Sequence, residues 1–306
     1  MREVTRHEVD EQRIVQALED IGGRAFGHWH GLRYNRLSLQ ALREMGDELL
    51  DHVAARTLEE PALGSAPSRR ALLTSAACAF GVLELGAFPD GDWEISFPLV
   101  GETLSSDEFS FGHGVDQVPT ARTWLDAFGL CLVSGVVRER ERVIGLLLRE
   151  DYAPAIRDGV PYSRLESRSE PADLAEMDAL CGYLTPSRGH LPRDWPSVTL
   201  CMPEAEERAG AVRRLDAVDV LSPDQQLLRV LLEDDQPAFE EALADRLVRH
   251  RESVEADAAP RSLLPVGAIA LAALAVQVHG WDLGVTSGYL PEALLRAPEG
   301  APSVGV

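Results

Sequence analysis

Apolar residues recur along this chain mostly at three-and-four spacing, the period of a helix that hides one face. The first run holds Val9, Ile14, Val15, Leu18 and Ile21. Thr5 and Glu8 ahead of it have the spacing of a capping box, and Gly22-Gly23 after it supplies a stop or bend. Leu39, Leu42, Met45, Leu49, Leu50 and Val53 make a second run. Ser68 is expected to cap a third, whose face is Leu72, Leu73, Ala76, Phe80 and Leu83 and whose end falls near Gly86; the Pro and Gly residues from Pro61 to Pro67 suit the turn before it. Helix resumes at Thr120 with Trp124, Leu125, Phe128, Leu132 and Val136. A sign-alternating surface turn is expected at Arg138–Arg142, followed by Val143, Leu146 and Leu147.

From Asp151 to Pro203 only one helix is clear, carried by Leu174, Met177, Leu180, Cys181 and Leu184, with a Pro/Gly/Arg loop around His190. Ser222-Pro223 has the form of a cap and a first helical residue. Leu227, Leu228, Leu231 and Leu232 follow, then an acidic turn at Glu233-Asp234-Asp235 and a partner helix with Phe239, Ala242, Leu243, Leu247 and Val248. These two helices predict an αα-hairpin of the size of a helical-repeat unit. The longest apolar run, Leu263 to Val276, is broken only by Pro265 and Gly267. It is shorter than the ~20 residues of a membrane span and predicts a buried core helix.

Between Phe88 and Pro119 the period changes. Trp93, Ile95, Phe97 and Leu99 alternate with Glu94, Ser96 and Pro98, which predicts a short strand at a sheet edge. Phe109 and Phe111 alternate similarly and offer a partner strand. The expectation is therefore an all-α chain of stacked helical hairpins, irregular and repeat-like, with a small β-hairpin-like insertion near residues 88–118. An irregular all-α globule is the near alternative. Residues 1–296 are expected to form one helical domain, with a possible division into 1–150 and 151–296, and residues 297–306 a flexible tail.

Composition supports helices, since Ala and Leu are abundant and aromatics reach only 6%. With 45% hydrophobic residues the chain can bury a real core. All 29 basic residues are Arg, which we read as a bias of GC-rich coding rather than a device. The polar start Met1-Arg2-Glu3-Val4-Thr5 predicts no secretory leader. Cys78, Cys131, Cys181 and Cys201 form no CxxC pair, and three of them sit in apolar helical surroundings, so a reduced cytoplasmic protein is expected.

Charge changes the picture most. The formal charge is −21, and between Ala71 and Ala121 there is no Arg, while Glu84, Asp90, Asp92, Glu94, Glu102, Asp107, Glu108 and Asp116 all fall there. Such a field repels nucleic acid and anionic membrane and attracts basic partners. The insertion has two readings. Its charges could serve solubility alone, or it could be an interaction surface in which Trp93, Phe97, Phe109 and Phe111 give anchors and the carboxylates speed encounter. Some of these aromatics must instead fasten the insertion to the helices. The candidate partner-binding residues are Asp90, Asp92, Trp93, Glu94, Glu102, Asp107, Glu108, Phe109 and Asp116.

Catalytic patterns are weak by comparison. His28 and His30 are two apart and cannot easily share a metal, so His28-Trp29-His30 is read as an aromatic packing anchor where the first helix ends. His113 beside Asp116 has the look of an acid/base pair, but no nucleophile accompanies it, and its flanking Gly112 and Gly114 suit a turn. GxSxG, SxxK, GxGxxG and GxxxxGK are all absent. No catalytic residue, metal or cofactor is expected.

The stretch Leu263-Leu264-Pro265-Val266-Gly267-Ala268-Ile269-Ala270, continuing through Leu271 to Ala275 and on to Gly280-Trp281-Asp282-Leu283-Gly284 and Ser287-Gly288-Tyr289-Leu290-Pro291, resembles the immunity protein 49 family of bacterial polymorphic toxin systems. Phe239-Glu240-Glu241-Ala242-Leu243, His250-Arg251 and the Pro119-Thr120 helix start before Trp124 fit the same pattern. These are helix-packing motifs. The resemblance implies a mostly helical cytoplasmic antitoxin that binds and neutralises a cognate toxin, and it carries no catalytic residue onto this chain. A basic toxin, such as a nuclease that must hold phosphates, would suit an acidic inhibitor. A helical adaptor or scaffold for an endogenous partner is the alternative. Neither nucleic acid nor membrane is an expected partner, and the oligomeric state is left open.

Overall fold

The computed structural model describes residues 2–108, 118–139, 144–159, 168–187 and 197–297. At its start, long-range pairing overrides the local capping signal. Arg2–Val4 form β1, which pairs in parallel with Val285–Ser287 near the other end of the chain. The Thr5 hydroxyl, instead of capping a helix, accepts from the Arg251 guanidinium at 3.0 Å. Helix α1 (Glu11–Leu18) begins later, where the Asp10 carboxylate accepts the backbone N–H groups of Gln12 and Arg13. The break after it falls at Asp20, whose φ of 35° turns the chain, and the Asp20 side chain caps α2 (Ile21–Tyr34) at Gly23. Gly22-Gly23 is therefore the first turn of a helix and not the end of one.

Helix α3 (Leu39–Glu59) starts at Ser38, and its apolar run packs along α4 (Ala66–Ala87). Gly46 allows the close approach, since a Cβ there would stand 3.3 Å from the Cβ of Cys78. The cap of α4 is Ser65 and not Ser68. Ser68 is buried, and both hydroxyls donate to Glu60, at 2.7 and 2.9 Å, with the Ser65 N–H donating to the same carboxylate. Although a buried carboxylate is costly, these three donors and Arg56 hold Glu60 below the usual range, so it stays charged and closes the α3–α4 turn.

Strands β2 (Glu94–Phe97) and β3 (Glu102–Ser105) form an antiparallel hairpin against α4. Helix α5 (Ala121–Val133) follows, capped by Thr120 in reciprocal bonds with Thr123, and leads to the short α6 (Val136–Glu139). Arg138 departs from the expected surface turn. It is buried, and its guanidinium donates to the Gln277 side chain at 3.0 Å and to the Gln277 carbonyl at 3.3 Å, answering an orphan acceptor at a helix end. Residues 140–143 of that turn and His190 lie outside the described residues. Next come α7 (Ile144–Leu146), a π-helical segment at Leu147–Tyr152, α8 (Ala153–Asp158) and α9 (Pro171–Cys181). Leu184, expected in α9, instead starts β4 (Leu184–Ser187), which pairs with β5 (Ser197–Leu200).

Helix α10 (Ala205–Asp216) was not anticipated from the sequence, because only two of its residues, Ala211 and Leu215, are buried. The hairpin of α11 (Pro223–Leu232) and α12 (Gln236–Ser253) forms as the sequence indicates, with Ser222 and Asp235 as caps. A 3₁₀ turn at Pro260–Leu263 leads into α13 (Val266–Gln277), in which every residue from Ala268 to Ala275 is buried. β6 (Val285–Ser287) and α14 (Glu292–Leu295) complete the chain. Two stretches, Ala66–Ala87 and Pro260–Gln277, are long and apolar enough to cross a membrane, but 72% and 67% of their apolar windows are buried within the protein. They are core helices by packing. Cys78, Cys131 and Cys181 are buried and Cys201 half-buried, all as free thiols.

The two ends of the chain are fastened together by a small polar cluster. The buried Tyr289 hydroxyl accepts the His7 backbone N–H at 3.0 Å and lies 2.6 Å from His7 Nδ1, while His7 Nε2 lies 2.9 Å from Ser262 Oγ. Tyr289→Phe is expected to cost about 1–2 kcal/mol of stability, because it strips partners from the half-buried His7 without changing shape. Urea unfolding midpoints of the two proteins check this, and an unchanged midpoint would show that water replaces the hydroxyl at no cost.

Candidate partner-binding surface

The β2–β3 hairpin separates its residues by the period of a strand. Ile95 and Leu104 face each other across the ladder and are buried at 3% and 0% exposure, and Phe97 is buried beside them. Ile95 seats on α4 at Gly81, where a Cβ would come within 2.5 Å of the Ile95 Cδ1, so the hairpin lies directly on the helix backbone. The Leu99 N–H donates to Thr74 Oγ1 of α4 at 2.9 Å. The turn is closed by the N–H groups of Val100 and Gly101 on the Phe97 carbonyl, with Gly101 at φ +75°. The first strand pairs with Glu102–Ser105. Phe109, Phe111, His113 and Asp116 lie outside the described residues.

Trp93 corrects an expectation. Its side chain is 6% exposed and belongs to the hydrophobic core, so it fastens the insertion and offers no free ring to a partner. The carboxylates stand on the other side of that division. Asp90, Asp92, Glu94, Asp107 and Glu108 are exposed and Glu102 is half-buried. Glu108 is engaged by Arg33 at 2.8 Å, and that guanidinium lies over the rings of Trp29 and Tyr34, 5.6 and 5.5 Å from their centroids. Among the described residues Asp90, Asp92, Glu94, Glu102 and Asp107 make no ion pair, so their charge is directed at solvent.

His28-Trp29-His30 sits in the middle of α2. Trp29 is buried, and its Nε1–H donates to the Thr103 carbonyl at 3.3 Å, which ties α2 to the hairpin. It anchors by packing as expected, but within a second helix and not where the first one ends. His28 is 2.7 Å from Glu48, which also binds Arg24, and His30 packs on Tyr34 with ring centroids 4.6 Å apart. No group of three or more metal-ligating side chains occurs among the described residues.

The sequence reading missed a second charged feature, on the exposed side of α5. Arg122 pairs with Asp173 of α9 through two contacts and stands 3.7 Å from Glu176 Oε2. Gln225 donates to Asp173 at 3.0 Å, and Arg246 donates to Asp224 at 2.6 Å. Glu176 is 5% exposed, and its Oε2 has no hydrogen-bond partner among the described residues. Burial raises its carboxyl to about 7; Asp224 and Asp173 add to the rise while Arg122 and Gln225 oppose it. Asp126, one turn after Arg122, is reached by solvent but crowded by the walls around it, and that desolvation lifts it to about 6, against the pull of Arg122. The available signal was the lone acidic residue in the otherwise apolar stretch Trp124–Val133.

Helices packed around apolar posts, with a small hairpin that turns its charges outward, define a mostly α-helical protein with an acidic surface. The family model described as immunity protein 49 matches residues 60–294 of this chain. The chain belongs to that family and is an immunity protein. No curated protein and no solved structure matches it.

Two outcomes test the division of labour at this surface. Trp93→Ala is expected to lower stability by about 3–5 kcal/mol through lost burial and a cavity, whereas Asp92→Asn and Glu94→Gln stay within about 0.5 kcal/mol of the parent. Thermal and urea unfolding measure both, and a neutral Trp93→Ala would return that ring to the candidate partner surface. Glu176 supplies the second. The folded chain keeps its proton over roughly pH 4 to 7 where the unfolded chain does not, so this group's contribution is full below about pH 4 and declines as pH rises to about 7. Glu176→Gln should therefore stabilise the protein by about 2 kcal/mol more at about pH 8 than at about pH 5. Equal shifts at the two pH values would remove the protonated carboxyl.

Proposed function

We propose that this immunity protein neutralises a cognate toxin by binding and covering it, and that its own contribution is a surface and not a reaction. The observation that carries the reading is the combination of family membership with a −21 charge. On the hairpin part of that charge is presented as carboxylates without ion-pair partners among the described residues. A toxin that must grip phosphates, such as a nuclease, has a cationic cleft. A rigid acidic surface can enter the same electrostatic footprint and exclude the substrate. Carboxylates at the rim chiefly raise the rate of encounter, while desolvated contacts at the centre hold the complex. The protein acts in the cytoplasm of the producing cell, where its free thiols persist.

Co-expression with the effector domain encoded beside its gene is the direct experiment. Growth rescue together with co-purification is the expected result; rescue without physical association would point to chemistry on the toxin or its product. The association rate should fall about tenfold between about 0.05 M and about 0.5 M salt. A salt-independent rate would leave the carboxylates with a solubility role only.

A further inference from the structure

Two clefts meet at Asp126. The larger, about 420 Å³, opens between α3, α4, α5 and the start of α13, and the smaller, about 110 Å³, opens between α5, α9, α11 and α13. Asp126 and Val266 stand in the walls of both. The floor of the larger cleft is apolar, with Leu42, Leu50, Val82, Leu130 and Leu264, and its charges lie among the remaining walls. Those charges are unequally satisfied. Arg261 is held by Asp51 at 2.8 Å and Asp47 at 3.5 Å, and Arg122 by Asp173, but no hydrogen bond or ion pair reaches the Asp126 carboxylate among the described residues. The smaller cleft adds Glu176, 5% exposed, whose Oε2 has Arg122 at 3.7 Å but no hydrogen-bond donor among the described residues. Two adjoining cavities thus present unsatisfied acceptor capacity beside an apolar floor.

We propose that the Asp126 cleft is the seat for an arginine side chain presented by the bound toxin, its methylenes lying on the apolar floor and its guanidinium on Asp126. The assignment rests on the neutralisation reading above and names a site for it away from the acidic hairpin. Arginine fits the chemistry better than lysine, because its planar fork can meet a carboxylate with two parallel N–H donors while its weakly hydrated head tolerates a partly enclosed site. A long side chain with an apolar stem and a charged tip matches a cleft with an apolar floor and a charged wall. A cation at this point also offsets the desolvation of Asp126, whose nearby cations and carboxylates are balanced two against two. Arg122 on α5, Asp173 on α9, and Arg43 and Asp47 on α3 all act on Asp126, with Arg261, Glu176 and Asp224 in the same cavity walls. Binding should therefore draw the Asp126 proton off, and affinity should rise from about pH 5 to about pH 7.

The test titrates butylguanidinium into the full chain and follows backbone amide signals by NMR, with butylurea as the neutral isostere. Shifts centred on residues 123–130, weakened about tenfold by Asp126→Asn and by lowering the pH to about 5, are the expected result. Among the described residues no hydrogen bond or ion pair reaches Asp126, so Asp126→Asn should fold and melt with the parent at about pH 4 and above it at about pH 7, where the parent must ionise a carboxyl that folding holds protonated, and the melting curve is recorded beside each titration. Signals that stay unmoved, equal binding by Asp126→Asn, or equal binding of butylurea would overturn the proposal. Capture of the toxin domain separates this from the reading it rests on. Toxin bound equally by the parent and by Asp126→Asn ends the cleft assignment and leaves neutralisation standing. A parent that captures no toxin ends neutralisation, while the guanidinium titration still decides the cleft.

Discussion

A helix with no charged residue over twelve positions has to be covered on every side, and α13 imposes that requirement on the rest of the chain. Its alanines, at 268, 270, 272, 273 and 275, let neighbours come close without large side chains in between. α5 takes one side, where Gly129 allows contact with Val266 and Ala270, and α11, α12 and α14 pack against it as well. Arg138 closes its C-terminal end at Gln277. Burial of this kind is non-directional, so many arrangements could satisfy it; close approaches such as that of Gly46 to Cys78 narrow the choice. The start of the same helix, Val266, then forms part of both clefts beside Asp126. The core element and the candidate binding cavity are two faces of one packing solution.

The surplus of acid is distributed with similar economy. Several carboxylates that touch the body of the protein are paired or hydrogen-bonded: Glu60 with two serines, Glu48 with Arg24 and His28, Asp224 with Arg246; Asp126 is an exception among the described residues. On the hairpin, strand alternation places Ile95, Phe97 and Leu104 inward and leaves Glu94 and its neighbours outward. Fastening and display are therefore carried by different residues. A surface built this way can change its charges with little effect on the core.

Much of the helical layout was legible before any coordinates, because a run with three-and-four spacing and a polar cap states both the buried face and the starting point. The α5 and α11 elements have that form; α3 and α4 showed their buried face alone, α3 with no cap read and α4 with its cap placed at Ser68 where Ser65 serves. The α10 helix does not, because a helix exposed on most of its surface shows almost no apolar face to read. The hairpin insertion was legible as an alternation at Trp93–Leu99, but its partner strand was not, since Glu102–Ser105 carries one buried residue, Leu104, and pairs by backbone bonds that any sequence can make.

What the sequence determined by itself was composition-level and periodic: helices, the apolar post of α13, the acidic field and the family pattern. Tertiary structure decided whatever depends on residues far apart in the chain. Thr5 lost its capping role because Arg2–Val4 found Val285–Ser287, and Trp93 became a fastening residue because the hairpin carries it into the hydrophobic core. Arg138 turned inward because an unsatisfied carbonyl waited at Gln277. The Asp126 cleft belongs wholly to this second class. Local spacing shows a lone acid on an apolar helix, but whether water, an arginine or nothing stands before it depends on how four other elements close around it. Periodicity reports which face of an element seeks cover; only packing reports what that face meets.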